Sequence, residues 1–391
     1  MQRTKQGKRK NRLNLDRVFL LASRFEVLNF AFKAVLQWFC SYFIMSKAFV
    51  GVVGFGSFGV AIADLLAIKT DVLIFTRNEA KAYDFNQNHL FKGYKIATRV
   101  QATSDIARIG MECDVIFLVL PSASFRDMLS ELRPYLKPSK ILIHGTKGFD
   151  LGNLDITSVE NKNMDVSQVK TMSEVILSET SVVRVGCLSG PNLATEILNK
   201  QPTATVIGSD YEEVIRIGQK YLTSNRFFVF GSSDMKGAEL SGSLKNIYAL
   251  GSGILQGKGY GKNIQAMLLT RGLGEMIAMG RTLGSDSSAF LGTAGIGDLI
   301  ATATSELSRN FAFGARLGKG EKLEDILQSM DEVVEGVRTL KIVFHLARSY
   351  KVHVPITNMI YHVIYDGYEI DRAINYLMKY PGTRDVYFLD N

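Results

Sequence analysis

Residues 48–67, "AFVGVVGFGSFGVAIADLLA", join a short β-rich run to a helical one through Gly54-x-Gly56-x-x-Gly59. Gly54 permits a tight turn out of the strand. Gly56 lets the backbone approach a pyrophosphate, and Gly59 lets helix and strand pack closely. With a strand before it and a helix after it, the spacing points to a dinucleotide-binding turn. A glycine-rich turn without a ligand is the plain alternative.

Downstream the pattern alternates. Strand-like runs at 48–54, 71–77, 114–121, 140–146, 182–190, 203–209 and 226–231 are separated by helical stretches. The central runs are continuously apolar, as strands covered on both faces are. This predicts an α/β fold, a doubly wound Rossmann-type parallel sheet. After residue 235 helices are expected at 238–256, 263–284, 288–304, 323–330, 334–350 and 355–378. The predicted division is an extension (1–45), a dinucleotide-binding domain (46–234) and an all-α catalytic domain (235–391). The polar stretch 152–170 reads as a surface insertion.

The second strand ends in "IFTRN", with Thr76-Arg77-Asn78 where an NAD site usually places an acid for the ribose hydroxyl. A guanidinium there suits a 2′-phosphate, so NADP is favoured over NAD. A surface arginine indifferent to the phosphate is the alternative. Ligands of such sheets gather at the carboxyl ends of the strands. There "LPSASF" (120–125), "HGTKGF" (144–149) with Lys147, and "SGPNLATEI" (189–197) follow three strands. The last opens a helix that Asn192 is expected to cap and whose N–H groups offer an anion site.

In the helical half, Lys245 is the one charge within "GAELSGSLKNIYALGSGI" that is not near its start. Its helical neighbours Ser241, Gly242, Tyr248 and Ala249 include no acid, so it is exposed or held by something distant in sequence. Farther on, Asp298 follows a glycine-rich turn, and Ser308-Arg309-Asn310 comes ten residues later. Asp and Lys suit acid–base work, and Ser-Arg-Asn suits a phosphate and its neighbouring hydroxyls. Singly, each has a plain reading as helix cap or solvated charge.

The chain has 391 residues and a net charge of +8. Residues 1–44 hold nine Lys/Arg and two acids, leaving the remainder at +1. Nucleic-acid binding is therefore not expected of the body. The extension has a basic head and an apolar continuation, but its longest uncharged run, Ala34–Ser46, is 13 residues, short of the roughly 18 needed to cross a bilayer. An interfacial helix touching a membrane is one reading; Met45 as the true start is the other. In either case residues 1–44 are expected to be dispensable for catalysis. Cys40, Cys113 and Cys187 are scattered and form neither a disulfide framework nor a metal site. A cytoplasmic compartment and no metal are expected.

Taken in order, "GFGSFG", "LIHGTKG", "LSGPNLATEI", "SGSLKNIYALGSGI", "GIGDLIATATSELSRN" and "VVEGVRT" resemble the NAD(P)-dependent glycerol-3-phosphate dehydrogenases, over roughly residues 48–380. The resemblance implies interconversion of sn-glycerol 3-phosphate and dihydroxyacetone phosphate, which supplies glycerophospholipid synthesis. It implies that Lys245 exchanges a proton with the C2 hydroxyl, beside Asp298. Lys147, Gly190, Asn192, Ser308, Arg309 and Asn310 match substrate contacts. Ser57, Phe58, Arg77, Ala194, Val333 and Glu335, with Lys147, Arg309 and the three glycines, match cofactor contacts. Asn192 departs from the family's usual Ser or Thr. Burial without a helical partner is expected to lower the Lys245 pKa toward neutrality, with the small residues around it letting substrate and backbone come close. A homodimer is expected. The rival readings are a β-hydroxyacid or 6-phosphogluconate-type dehydrogenase, against which "GDLIATATSELSRN" argues, and a catalytically silent nicotinamide sensor, which would be expected to lose Lys245 or Asp298.

Overall fold

Continuous apolar runs need cover on both faces, and the sheet supplies it. The structure, a computed structural model, describes residues 49–379 apart from 153, 155–163 and 331–332. The expectations for the N-terminal extension and for most of the 152–170 insertion lie outside the described residues. Among the described residues ten strands form: β1 (Phe49–Val53), β2 (Val72–Phe75), β3 (Leu90–Phe91), β4 (Tyr94–Lys95), β5 (Val100–Thr103), β6 (Cys113–Leu118), β7 (Ile141–His144), β8 (Arg184–Ser189), β9 (Thr203–Gly208) and β10 (Phe227–Ser232). Helices α1 (Ser57–Leu66), α2 (Glu79–Asn88), α3 (Ile106–Glu112), α4 (Phe125–Leu132), α5 (Met172–Glu179), α6 (Ala194–Leu198) and α7 (Glu212–Leu222) run between and after them.

Eight strands make one sheet in the order β10-β9-β8-β7-β6-β1-β2-β5, and β3 and β4 form a separate hairpin. Alternate residues serve opposite faces. Val52, Ile74, Phe117 and Ile143 belong to one core; Val53, Leu73, Ile116 and Leu142 belong to the other. All seven expected strands are present, but the sheet is not wholly parallel, because β8 and β9 run antiparallel. Between them α6 has only five residues and spans about 7–8 Å. That is too short to carry the chain back along a six-residue strand of about 20 Å. The short β3, β4 and β5 were not expected; β5 is a four-residue edge strand carrying Gln101 and Thr103.

The helical half comprises α8 (Met235–Gly257), α9 (Lys262–Thr282), α10 (Asp298–Thr304), α11 (Arg309–Gly318), α12 (Leu323–Ser329), α13 (Glu335–Tyr350), α14 (Pro355–Tyr365) and α15 (Ile370–Met378). Every residue of α8 from Gly237 to Leu255 is buried, as befits a central helix without a polar face. It packs against α9, α10, α11 and α13. Three boundaries differ from expectation. The 288–304 stretch is a 3-10 turn, a π-turn (Thr293–Gly297) and then α10. The 355–378 stretch breaks at Gly367, whose φ is 64°. And α11 was not among the expected helices; its segment, "SRNFAFGARLGKG", carries three glycines.

Two of those glycines explain α11. A Cβ on Gly314 would lie 2.1 Å from the Leu250 carbonyl oxygen, and one on Gly318 would lie 2.3 Å from that of Ile254; from the α8 side, one on Gly253 would lie 2.1 Å from that of Phe311. The backbones of α8 and α11 are thus in direct contact, and a main-chain oxygen cannot swing aside. Gly314→Ala is therefore expected to destabilise the protein by about 1–3 kcal/mol through overpacking, despite alanine's better helix propensity. A thermal melt measures this, and an unchanged melting temperature would mean that the helices do not touch there.

The described end of the 152–170 insertion is only partly a surface segment: Asp165, Ser167 and Gln168 are exposed, but Met164 and Val169 belong to the helical core. The Met164 N–H donates to Ser349 Oγ on α13 (2.8 Å).

Candidate active site

The glycine-rich turn lies beside the topological switch point, where β1 separates β2 from β6. Gly54 has φ 128°, and an added Cβ would sit 2.0 Å from the Val119 carbonyl oxygen. On Gly59 a Cβ would meet the Gly54 oxygen at 1.9 Å, whereas on Gly56 it would meet nothing within 4 Å. Two glycines are consumed by packing, and the third faces open space at the start of α1. This arrangement fits a dinucleotide's pyrophosphate. Ser57 opens α1, and its hydroxyl accepts a hydrogen bond from Lys92 Nζ (3.2 Å). Phe58 reaches the loop after β7, where a Cβ on Gly145 would come within 3.0 Å of its ring.

Lys147, Gly190 and Asp298 come together around Lys245. It is 4% exposed. Its ammonium donates to Asp298 Oδ1 and Thr302 Oγ1, both on α10. The second carboxylate oxygen of Asp298, Oδ2, accepts from Lys147 Nζ (2.6 Å), which also donates to the Gly190 carbonyl (3.1 Å). Two lysines from different halves of the fold thus share one buried carboxylate. Burial pulls the Lys245 ammonium down to about 7; Asp298 opposes that shift, and the positive charge of Lys147 adds to it. The lysine that lacked a helical partner is held by a residue 53 positions away, and its pKa falls as expected.

The small residues of α8 serve two purposes. A Cβ on Gly242 would lie 2.8 Å from Ser189 Oγ and 3.6 Å from Lys147 Cδ, so this glycine admits the Lys147 stem. Gly253 serves the contact with α11 instead. Glu239, also on α8, holds the base of the lysine loop: His144 Nε2 lies 2.9 Å from its Oε1. Burial pushes the Glu239 carboxyl upward, but His144 and Ser173 together bring it below its ordinary value.

Ser308 is the N-cap of α11; its hydroxyl accepts from the Phe311 N–H (3.3 Å). The Asn310 amide donates to Asn246 Oδ1 (3.0 Å), and its carbonyl accepts from the Gly336 N–H (2.9 Å). This residue braces α11 against α8 and α13. Arg309 donates to the Val333 carbonyl (2.9 Å). Glu335 accepts from both the N–H and the hydroxyl of Ser122 (2.8 and 2.7 Å). Arg338 donates to Ser122 Oγ (3.0 Å) and to the Phe149 carbonyl (2.6 Å). Thus α13 ties together the loops after β6 and β7. Arg77 stands apart at the tip of β2, exposed, donating to Glu131 (2.7 Å).

One local expectation fails. The N-cap of α6 is Leu193, with no side-chain cap bond, and the Asn192 amide donates instead to Thr205 Oγ1 (2.9 Å). Ala194 opens this helix of only five residues. Thr302, Asn246, Ser122 and Arg338 were not singled out in the sequence. Thr302 was findable, one helical turn beyond Asp298. The others acquire meaning only through long-range contacts. Among the described residues no group of three or more His, Cys, Asp or Glu is placed to hold a metal.

Comparison with known proteins agrees with this geometry. The family described as NAD-dependent glycerol-3-phosphate dehydrogenase N-terminus matches residues 49–215, and its C-terminus counterpart matches residues 234–375. The chain is 36% identical over 342 residues to a "Glycerol-3-phosphate dehydrogenase [NAD(P)+]" of Teredinibacter turnerae, covering 86% of this chain and 96% of that one. It is 37% identical over 335 residues to the protein of that name from Staphylococcus aureus, covering 84% and 97%. A crystal structure of glycerol-3-phosphate dehydrogenase from Coxiella burnetii superposes with a TM-score of 0.77 at 28% identity, covering 85% of this chain and 99% of that one. The chain belongs to the NAD-dependent glycerol-3-phosphate dehydrogenase family.

Proposed function

We propose that the protein interconverts sn-glycerol 3-phosphate and dihydroxyacetone phosphate with NAD(P), and so feeds glycerophospholipid synthesis. The observation that carries this reading is the Lys147–Asp298–Lys245 cluster, built on a buried carboxylate, with Lys147 in the loop after β7. A bound nicotinamide would supply the hydride acceptor for C2 of the alcohol, or the hydride donor for the ketone. In the oxidative direction the neutral amine of Lys245 accepts the C2–OH proton, and in the reductive direction its ammonium gives the proton back. Asp298 fixes the Nζ position, and Thr302 fixes its direction. Lys147 neutralises Asp298, which keeps the carboxylate from holding Lys245 fully protonated. Arg309 grips the substrate phosphate and, with Asn310, orients C2. Gly190, whose carbonyl accepts from Lys147, and Asn192 contact the substrate in this proposal, as does Ser308 at the start of α11. Ala194, Val333 and Glu335 line the cofactor side. The test is oxidation of NADPH and NADH in the presence of dihydroxyacetone phosphate; no turnover with either coenzyme sinks the reading.

NADP(H) is the preferred coenzyme in this proposal, because Arg77 occupies the tip of β2 in place of an acid. Arg77→Glu is expected to weaken NADPH binding about tenfold or more through lost attraction and added repulsion, with NADH far less affected. The side chain is exposed, so folding is expected to survive. Equal losses for both coenzymes would remove the 2′-phosphate from Arg77. The working form is taken as a homodimer in the cytoplasm. Among the described residues no helix is long and apolar enough to cross a membrane.

A further inference from the structure

Beside the glycine-rich turn stands a lysine, Lys92, that the family motifs do not name. Strands β3 and β4 are joined by a two-residue turn, Lys92-Gly93, with φ of 48° and 84°. Two consecutive positive φ values are the signature of a type I′ hairpin turn, whose first position favours Asn, Asp or Gly. A lysine there is conformationally unfavourable, and hairpin formation gives no reason for it. Its side chain does. Lys92 Nζ passes Phe91, 5.8 Å from the ring centroid, and donates to Ser57 Oγ (3.2 Å). Phe91 is itself fixed edge-on to Phe55, the residue between Gly54 and Gly56. The ammonium is thus carried by the hairpin to the first residue of α1, a ten-residue helix, next to Gly56, whose Cα faces open space.

We propose that Lys92 is a coenzyme-binding residue that supplies a positive charge to the pyrophosphate, the group NAD and NADP share. This rests on the dinucleotide reading of the glycine-rich turn. The placement distinguishes Lys92 from Arg77, which lies at the tip of β2 and pairs with Glu131. Arg77 addresses the adenosine ribose, where the two coenzymes differ, whereas Lys92 addresses the start of α1, where they are alike. It reinforces a site that otherwise consists of backbone N–H groups and the partial positive charge of a helix N-terminus.

The test uses Lys92→Asn, which keeps the hairpin and suits its backbone better than lysine does. NADPH and NADH binding to the full chain, without substrate, is measured by nucleotide fluorescence, and the melting temperature of the coenzyme-free protein is recorded. Both dissociation constants are expected to rise by the same factor, about three- to tenfold, while the melting temperature holds or rises. Unchanged binding of both coenzymes overturns the proposal. A loss confined to NADPH overturns it too, by moving Lys92 to the 2′-phosphate. Weaker binding with a lowered melting temperature would make Lys92 a structural residue. Should Arg77→Glu affect both coenzymes equally while Lys92→Asn behaves as expected, the NADP preference fails and this inference stands. If the unmutated chain binds neither coenzyme, the underlying reading fails first.

Discussion

Lys245→Met is expected to lower kcat by about 10²–10⁴-fold, the usual worth of general acid–base catalysis, while coenzyme binding stays near normal. Methionine keeps the approximate volume, so α8 stays packed. Asp298 is not orphaned, because Lys147 still donates to it at 2.6 Å. The pH profile supplies an independent check. Free Lys245 titrates near 7. Oxidation of glycerol 3-phosphate needs the amine, so its kcat/KM should rise through about 7 and level off above. Reduction of dihydroxyacetone phosphate needs the ammonium and should decline over the same window. Stability carries the same signature. An unfolded lysine holds its proton up to about 10.5, and the folded one releases it near 7. Between those values the unfolded state binds more protons, so raising the pH favours folding, and Lys245→Met should flatten that slope. Near-normal turnover by the mutant would end the mechanism.

The features that were legible in the sequence share a physical cause. Strands buried on both faces declare themselves by uninterrupted apolar runs, and the glycine spacing declares a turn with little tolerance for a Cβ. Lys245 was conspicuous because an unpaired charge in an apolar helix is costly unless something compensates it. The identity of its partner was not readable from the helix itself. Asp298 and Lys147 come from opposite sides, and only the packing of α8 against α10 and the sheet brings them together. Other misreadings also arose where tertiary contact overrides local pattern. Gly314 and Gly318 disfavour a helix until α8 supplies a backbone for them to rest on. Asn192 looks like a helix cap until Thr205 claims its amide. Met164 looks like part of a polar insertion until the helical core receives it.

Arg309→Met should separate binding of the phosphate from the proton transfer. Arg309 is the first residue of α11, behind the Ser308 cap, and the next residue, Asn310, bonds to Asn246, the neighbour of Lys245. The bond to the Val333 carbonyl (2.9 Å) fixes one edge of the guanidinium, and the planar fork of an arginine matches phosphate oxygens. Losing a charge-assisted contact of this kind is expected to raise KM for dihydroxyacetone phosphate about 10–100-fold. A smaller fall in kcat should accompany it, because remote binding energy also orients C2 for reaction. Dihydroxyacetone, which has no phosphate, should be a poor substrate of the unmutated enzyme and should barely register the change. The comparison of the two substrates therefore isolates the phosphate, whatever the mutation does to the fold. A variant equally impaired with both would show that Arg309 supports the site's architecture or the coenzyme and does not hold the phosphate. The unequal result, set beside a Lys245 variant that loses turnover with both substrates alike, would assign proton transfer to α8 and phosphate recognition to the start of α11.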